Sequence, residues 1–480
     1  MSAALDPIIV VGGGASGTIL AAELLRQAPS VAVVLIEPRP RLGGGVAFGD
    51  AAPVHRLNVR AGRMSARVGD DEHFVRWLAQ HDPGAGEGTF ARRSDYGRYL
   101  AYTLDQARLA APGSRVAHVR DRVRAVEAAG SGFRVALDAG PVLRARSVVL
   151  ALGNLPPAHI AAPRRSAIEP DRFVSDPWTR DGLEPRSRDE SVLLLGTGLT
   201  AVDVALARHE RGQRGPIVAL SRHGLLPRVQ AEHQPRLRPA GPPPTAPTAL
   251  ASSGTPPWVR TAHGLRDVTR ALRAEIRRVT AEGGDWRDVF EALRPAAPLL
   301  WTGLSPRDRR AFARHVQSYW DVHRHRMPAE AAAGIERLIA AGQLDVRAGR
   351  VLCLVPGRHD VRVVVAPRGA RRTLTLQVSR VVNCTGPAPL ARSRHELLNR
   401  MVESGLVRSD PLGLGLDALP DGTLLRADGG AARGLYAIGP LLKGILWETT
   451  AIPEIRTQAA ALAKRIAAGR EVTLAARESA

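Results

Sequence analysis

Residues 8–17 read IIVVGGGASG, and residues 191–201 read SVLLLGTGLTA. In the first stretch an apolar run of strand length, Ile8 to Val11, meets Gly12, Gly14 and Gly17 in the spacing GxGxxG, and a helical pattern follows through Leu20, Leu24 and Leu25. The three glycines serve different ends. The first permits a tight turn, the second lets the main chain approach a pyrophosphate at the helix N-terminus, and the third allows the helix to pack closely on the strand. Ala15 and Ser16 open that helix and belong to the same phosphate-facing loop. A second apolar strand, Ala32 to Ile36, ends in Glu37, 20 residues past Gly17, where a carboxylate accepts the hydroxyls of an unphosphorylated ribose. Together these predict a βαβ unit that binds an ADP group.

The mid-chain stretch repeats the pattern as GxGxxA, with Gly196, Gly198 and Thr200 in the loop and Ala201 in the third position. Its next strand, Ile217 to Leu220, is followed by Ser221, Arg222 and His223 rather than by an acid. A carboxylate repels a 2′-phosphate, whereas Ser221 and Arg222 can hydrogen-bond one, so the residues favour NADPH, with NADH as the alternative if Arg222 is an ordinary solvated arginine.

Two nucleotide sites call for two cofactors, and the strands between and after them point to FAD for the first. Phe133 to Leu137 and Val142 to Ala145 form a small meander that returns through Val148 to Leu152 and ends at Gly153. Val361 to Val365 and Thr373 to Val378 lead in the same way into Val381–Asn383 and Gly386. Residues 434–440, GLYAIGP, resemble the late strand of two-domain flavoproteins, and the resemblance implies that Gly439 reaches the ribityl chain through its backbone, with Pro440 where those proteins usually have Asp. The expected fold is α/β, with two Rossmann-like dinucleotide-binding domains of the flavoprotein monooxygenase/reductase type. The NAD(P) domain is inserted in the FAD domain, and a helical insertion follows it. The boundaries read from the sequence are 1–185 for the first FAD part, 186–230 for the NAD(P)H core, 231–344 for a Pro-rich loop (Pro235 to Pro257) and helices, and 345–480 for the return to the FAD domain. Trp286, Trp301, Phe312, Tyr319 and Trp320 gather in the helical part and are read as its core, the alternative being a pocket wall.

Composition excludes other chemistry. The 480 residues are 44% hydrophobic and 24% charged, with 47 Gly and 36 Pro, which is globular rather than disordered. A net charge of +21 suggests nucleic acid at first sight, but 65 of the 67 basic residues are arginine, spread along the chain without a basic block, and no nucleic-acid partner is expected. The lysines, Lys443 and Lys464, lie in no phosphate-loop sequence and nothing around them suggests pyridoxal. Cys353 and Cys384 are 31 residues apart, which excludes a CxxC redox pair, and no metal site is expected. Only Met1 to Pro7 precede the first apolar run and no stretch of about 18 apolar residues occurs, so the sequence reads as cytoplasmic with no membrane partner. It does not reveal an oligomeric state.

With these residues in view, the chain resembles the FAD/NAD(P)-binding proteins of the HpyO/CreE type and, more distantly, the class B flavin monooxygenases. The resemblance rests on GGGVAFG (43–49), HRLNVRAGRMS (55–65), FVRWL (74–78), YGRYL (96–100), FVSDPW (173–178), SRHGLLPR (221–228), WDVHRHR (320–326) and GPLLKGILWETTAIPEIRTQA (439–459). It implies an FAD- and NAD(P)H-dependent monooxygenase that takes O₂ and a small polar, anionic, nitrogen-containing substrate, as in urate hydroxylation or aspartate N-oxidation. The Phe–Gly–His signature of Baeyer–Villiger enzymes is not matched at residues 173–178. The rivals are an NAD(P)H oxidoreductase without oxygen insertion and a non-turnover flavin-binding regulator.

Candidate substrate-side residues carry two readings each. Gly45, within Gly43–Gly49, offers bare main chain to a flat ring or merely a flexible loop. Asn58 supplies a donor and an acceptor to a flavin edge, or stabilises a turn. Arg324 and Arg326 supply guanidinium forks for an anion, or end a helix ion-paired to Asp321. Lys443 provides a compact ammonium near the flavin, or is a leftover surface lysine.

Overall fold

The computed structural model describes residues 6–28, 30–49, 51–160, 168–231 and 255–478. Its first sheet has six strands in the order Thr423–Leu425, Ala431–Ala437, Ser147–Leu150, Ile8–Val11, Ala32–Ile36 and Arg115–Val119, all parallel except the first. Ile8–Val11 is buried throughout because both faces of the sheet are covered, which is why it reads as an unbroken apolar run. Side chains alternate: Ile8 and Val10 enter the core beneath the helices Ala15–Gln27, Arg93–Ala110 and Ile452–Glu478, whereas Ile9 and Val11 face the core beneath the meander Val123–Ala129, Gly132–Leu137 and Leu143–Ala145.

The second sheet runs Leu374–Val378, Val361–Pro367, Leu344–Pro356, Ile217–Ser221, Val192–Leu195, Arg380–Asn383 and Phe173–Val174. Here too Val192 and Leu194 face one core and Leu193 and Leu195 the other. Helices Leu199–Glu210 and Ala329–Ala340 cover the first of these faces. The sheet corrects two expected boundaries. Its outermost strand, Phe173–Val174, begins before residue 186, and Leu344 to Asn383 belong to this second sheet, so the chain returns to the first sheet's domain only after Asn383 rather than at 345.

The helical part contains Gly264–Ala281, Trp286–Leu293, Ala297–Gly303, Pro306–Ala311 and Gln317–Arg324. Trp301, Phe312 and Trp320 are buried in its core with Phe290, and Trp286 packs against it, whereas Tyr319 is 42% exposed. Trp447, from the last part of the chain, completes that core, so the insertion is packed onto the first domain. Most of the Pro-rich stretch 235–257 lies outside the described residues.

Charged side chains join the two domains. Arg93 meets Asp203 at 2.7 Å, His55 Nε2 lies 3.0 Å from the Asp203 carbonyl, and Arg56 donates to both carboxylate oxygens of Glu330 at 2.9 and 3.0 Å. Burial pushes the His55 imidazole below its ordinary value despite Asp203 nearby, so it serves as a neutral link. Deeper in the second domain the fully buried Arg208 bonds Glu190, Gln213 Oε1 at 2.6 Å and the Gly182 carbonyl at 3.0 Å. Arg208→Met strands part of this network while Glu190 keeps Arg380 at 3.1 Å, so urea unfolding should show a loss of about 3 kcal/mol, the lower end for breaking a buried pair. An unchanged midpoint would mean that the pair contributes nothing net.

Candidate functional site: two glycine loops and an arginine-lined cavity

The two loops share one geometry. Gly12 has φ of 104° and a Cβ there would lie 2.5 Å from the Ala151 carbonyl oxygen; Gly196 has φ of 120° and a Cβ there would lie 2.3 Å from that of Cys384. Only glycine fits such a positive φ under such contacts. Two residues beyond each of those carbonyls stand Gly153 and Gly386, so the return strand of each meander ends at its loop in the same way. Gly17 is needed for packing, since a Cβ would sit 1.9 Å from the Gly12 oxygen. Gly14 is different: its φ of −70° suits any residue, and an added Cβ meets only the Gly45 backbone, with the Cα at 3.5 Å. The protein itself therefore does not require glycine at 14, and the open space beside Gly45 is what a bound pyrophosphate requires.

Around this loop the expected residues converge. Glu37 is 5% exposed; Oε2 accepts from the Gly13 N–H at 3.1 Å, whereas Oε1 accepts from both the Arg39 N–H at 3.1 Å and Arg39 Nη1 at 3.3 Å, so a lone pair for ribose remains on Oε2. The helix beginning at Ala15 and Ser16 has no side-chain cap, leaving its first amides for an anion. The donor set fits the ADP half of FAD. The Gly439 N–H donates to Gln458 Oε1 at 3.0 Å and its carbonyl accepts from Thr449 Oγ1 at 3.0 Å, so the N–H is engaged by the protein while the carbonyl keeps a second lone pair. Pro440 lies in the short helix Gly439–Leu442 and has no N–H to give.

At the second loop, helix Leu199–Glu210 starts uncapped after the exposed Gly198, with Thr200 in its first turn. Ser221 also departs from expectation. Thr197 Oγ1 donates to the Leu225 carbonyl at 2.6 Å, so the 2.8 Å contact between the hydroxyls uses the Ser221 proton, and Ser221 Oγ accepts from the Gly224 N–H at 3.0 Å. Its hydroxyl shapes the turn and is not available to a phosphate. Arg222 is exposed.

Asn58, Arg324 and Arg326 line one cavity of about 150 Å³, together with Arg63, Gln230, Glu291, Arg294, His325 and Thr450. A larger surface cavity of about 400 Å³, between Arg56, His81 and Arg98, includes none of the glycine-loop residues. Arg324 pairs not with Asp321 but with Glu448, at 3.0 Å, while Arg326 pairs with Glu291, which also holds Arg63 at 2.9 Å; Arg294 meets Glu454 at 2.7 Å. Burial alone would push the Glu291 carboxyl up, but Arg324, Arg63, Arg326 and Arg294 outweigh it and hold the group at about 2. Burial, with Arg324 adding to it, pushes His325 down to about 4, so it is neutral at pH 7. Arg324 Nε and Arg326 Nε and Nη1 are buried and have no hydrogen-bond acceptor in the protein. Buried guanidinium donors without acceptors are costly, and both of these arginines belong to the lining of the cavity.

The Asn58 carbonyl accepts from Gln230 Nε2 at 2.7 Å, which fixes the main chain of a residue that lines the cavity. Lys443 does not line the cavity; its Nζ sits 4.8 Å over the Trp447 ring. Trp447 has φ 55° and ψ −65°, and the Glu448 N–H bonds the Leu446 carbonyl at 2.7 Å, a γ-turn of positive φ that costs about 1–3 kcal/mol. Ring contacts with Trp301 at 4.6 Å and Phe312 at 4.9 Å hold it there. The turn delivers Glu448 to Arg324, Thr449 to Gly439 and Thr450 to the cavity. Arg63 and Glu448 lie within the segments 55–65 and 439–459 without standing out there, and Glu291 and Arg294 lie in no segment that the sequence singles out; only the folded arrangement brings the four together.

Residues 9–155 match the model of a family described as FAD-NAD(P)-binding. No curated protein sequence matches the chain. Among solved structures it is similar to the ornithine N-hydroxylase of Kutzneria sp. 744, recorded with reduced FAD, NADP⁺ and L-ornithine, at 14% identity and a TM-score of 0.61, covering 97% of this chain and 100% of that one. The ornithine hydroxylase of Pseudomonas aeruginosa gives 15% and 0.61, and the L-lysine 6-monooxygenase of Pseudomonas syringae 15% and 0.62, each over 97% of this chain and 99% of the other. The fold is that of two-domain Rossmann-type flavoproteins. Among the described residues no helix is long and apolar enough to cross a membrane.

Proposed function

We propose that this chain is an FAD- and NADPH-dependent monooxygenase that hydroxylates a small, anionic, nitrogen-containing substrate. FAD belongs to the loop of Gly12, Gly14 and Gly17 with Glu37, and the nicotinamide nucleotide to the loop of Gly196, Gly198 and Thr200. The chemistry a flavin supplies when bound is reduction by the nicotinamide followed by activation of O₂. The chain's own part is to hold both nucleotides at the carboxyl ends of their sheets, to orient the substrate, and to keep its site dry.

The observation that carries the substrate class is the set of buried Arg324 and Arg326 N–H groups that no protein atom accepts. Ion pairing to Glu448 and Glu291 fixes both guanidinium planes before substrate arrives, so little side-chain freedom is lost on binding. Asn58 and Thr450 add neutral donors and acceptors that can select among anions. That the ornithine and lysine hydroxylases of the same fold act on amino acids supports an amino-acid-like or similarly small substrate. The test is turnover under ¹⁸O₂ with NADPH and urate, aspartate or related small nitrogen-containing anions, read by mass spectrometry. One labelled oxygen in the product is expected; NADPH consumption with no label in any of them would leave a plain oxidoreductase.

A further inference from the structure

The strand Ala32–Ile36 ends in a carboxylate, Glu37, whereas its counterpart in the second sheet, Ile217–Ser221, ends among cations, and one of these comes from a distant part of the chain. Arg368 directly follows the strand Val361–Pro367; its N–H bonds the Ala348 carbonyl at 2.9 Å, and Ala348 is the register partner of Ser221. Its guanidinium Nη1 lies 2.7 Å from His223 Nδ1. An arginine can only donate, so His223 accepts, which fixes the imidazole as neutral with its proton on Nε2. Burial, followed by Arg368 and Arg222, keeps that imidazole below its ordinary value. Among the described residues no carboxylate is paired with Arg222 or Arg368, although the neighbouring Arg347 is paired with Asp345 at 2.6 Å.

The turn itself is rigid. Ser221 bonds Thr197 and Gly224, so the main chain carrying Arg222 and His223 is tied to the second glycine loop. Tyr319, exposed and left over from the helical core, places its ring 5.3 Å from that of His223.

We propose that Arg368, oriented by His223, is a specificity-determining residue that acts with Arg222 to bind the 2′-phosphate of NADPH at the end of Ile217–Ser221. This rests on the reading of the mid-chain loop as the nicotinamide-nucleotide site. In that loop the residue after the second strand meets the 2′ position of the ribose. Two guanidinium forks without carboxylate partners match a phosphate dianion, whereas a ribose hydroxyl needs an acceptor such as Glu37. With the Ser221 hydroxyl engaged, Arg368 supplies the second set of donors that a phosphate requires. His223 acts as a positioning residue, since the bond to its Nδ1 fixes one side of the Arg368 fork.

The test compares NADPH with NADH as reductants of the purified full-length holoprotein, and 2′,5′-ADP with 5′-AMP as inhibitors, in the wild type, Arg368→Gln and Arg222→Gln. Arg368 is exposed, so its loss does not threaten folding. In both variants the KM for NADPH and the inhibition constant of 2′,5′-ADP should rise roughly tenfold or more, the loss of one charge-assisted contact, while NADH and 5′-AMP change less than about twofold. Equal effects on phosphorylated and unphosphorylated ligands in Arg368→Gln, or a wild type that does not discriminate between NADPH and NADH, would overturn the assignment of Arg368. A wild type reduced by neither nucleotide would instead overturn the reading on which it rests.

Discussion

Gly14→Ala should leave a folded protein that has lost its FAD. The substitution suits the backbone, since φ is −70°, and the added Cβ meets the protein at an ordinary contact distance of 3.5 Å. What it occupies is the approach of a pyrophosphate to the helix that begins at Ala15. Equilibrium dialysis of the variant against FAD should show affinity lower by about two orders of magnitude, or about 2.7 kcal/mol, with the far-ultraviolet circular dichroism of the wild type. Gly17→Ala is the contrasting control: its Cβ would fall 1.9 Å from the Gly12 oxygen, so that variant should lose the fold of the loop together with the cofactor. FAD retained at wild-type affinity in Gly14→Ala would remove the first loop from the binding site.

Arg326→Gln should separate substrate capture from flavin reduction. Glu291 keeps Arg63 at 2.9 Å, so the substitution leaves that carboxylate paired and removes the two buried N–H groups that lack a protein acceptor. A buried anionic substrate deprived of its cation loses several kcal/mol, so substrate-stimulated turnover at low substrate should fall by about two orders of magnitude, while NADPH oxidation without substrate stays within about twofold. Equal loss of both rates would mean that Arg326 supports the fold alone, and loss of neither would remove the anion from the cavity.

The parts of this molecule that are legible in the sequence are those imposed by local backbone geometry. Gly12 and Gly196 are dictated by a turn that few other residues can make, and Glu37 by a fixed chain length after it, so spacing alone finds them. Arg324 and Arg326 stand out as candidates, but their partners do not. Glu448 reaches Arg324 only because Trp447 is held in a strained turn by rings from the helical insertion, a contact between segments more than about 100 residues apart. The boundary expected at 345 is displaced for a related reason. A meander followed by a return strand occurs once in each domain, and the local pattern does not say which sheet the strand Arg380–Asn383 joins; its register with Val192–Leu195 does. Ser221 shows the limit of residue type as evidence, because a hydroxyl suited to phosphate is already committed to Thr197 and Gly224.

If the two loops serve one redox centre, a nucleotide bound at the second must reduce a flavin held at the first. Anaerobic titration of the purified full-length holoprotein with NADPH, followed through the flavin absorbance band, tests this most directly. The expected result is bleaching complete at one equivalent of NADPH per bound flavin. A protein that carries no flavin, or whose bound flavin stays oxidised in excess NADPH and NADH alike, would contradict it.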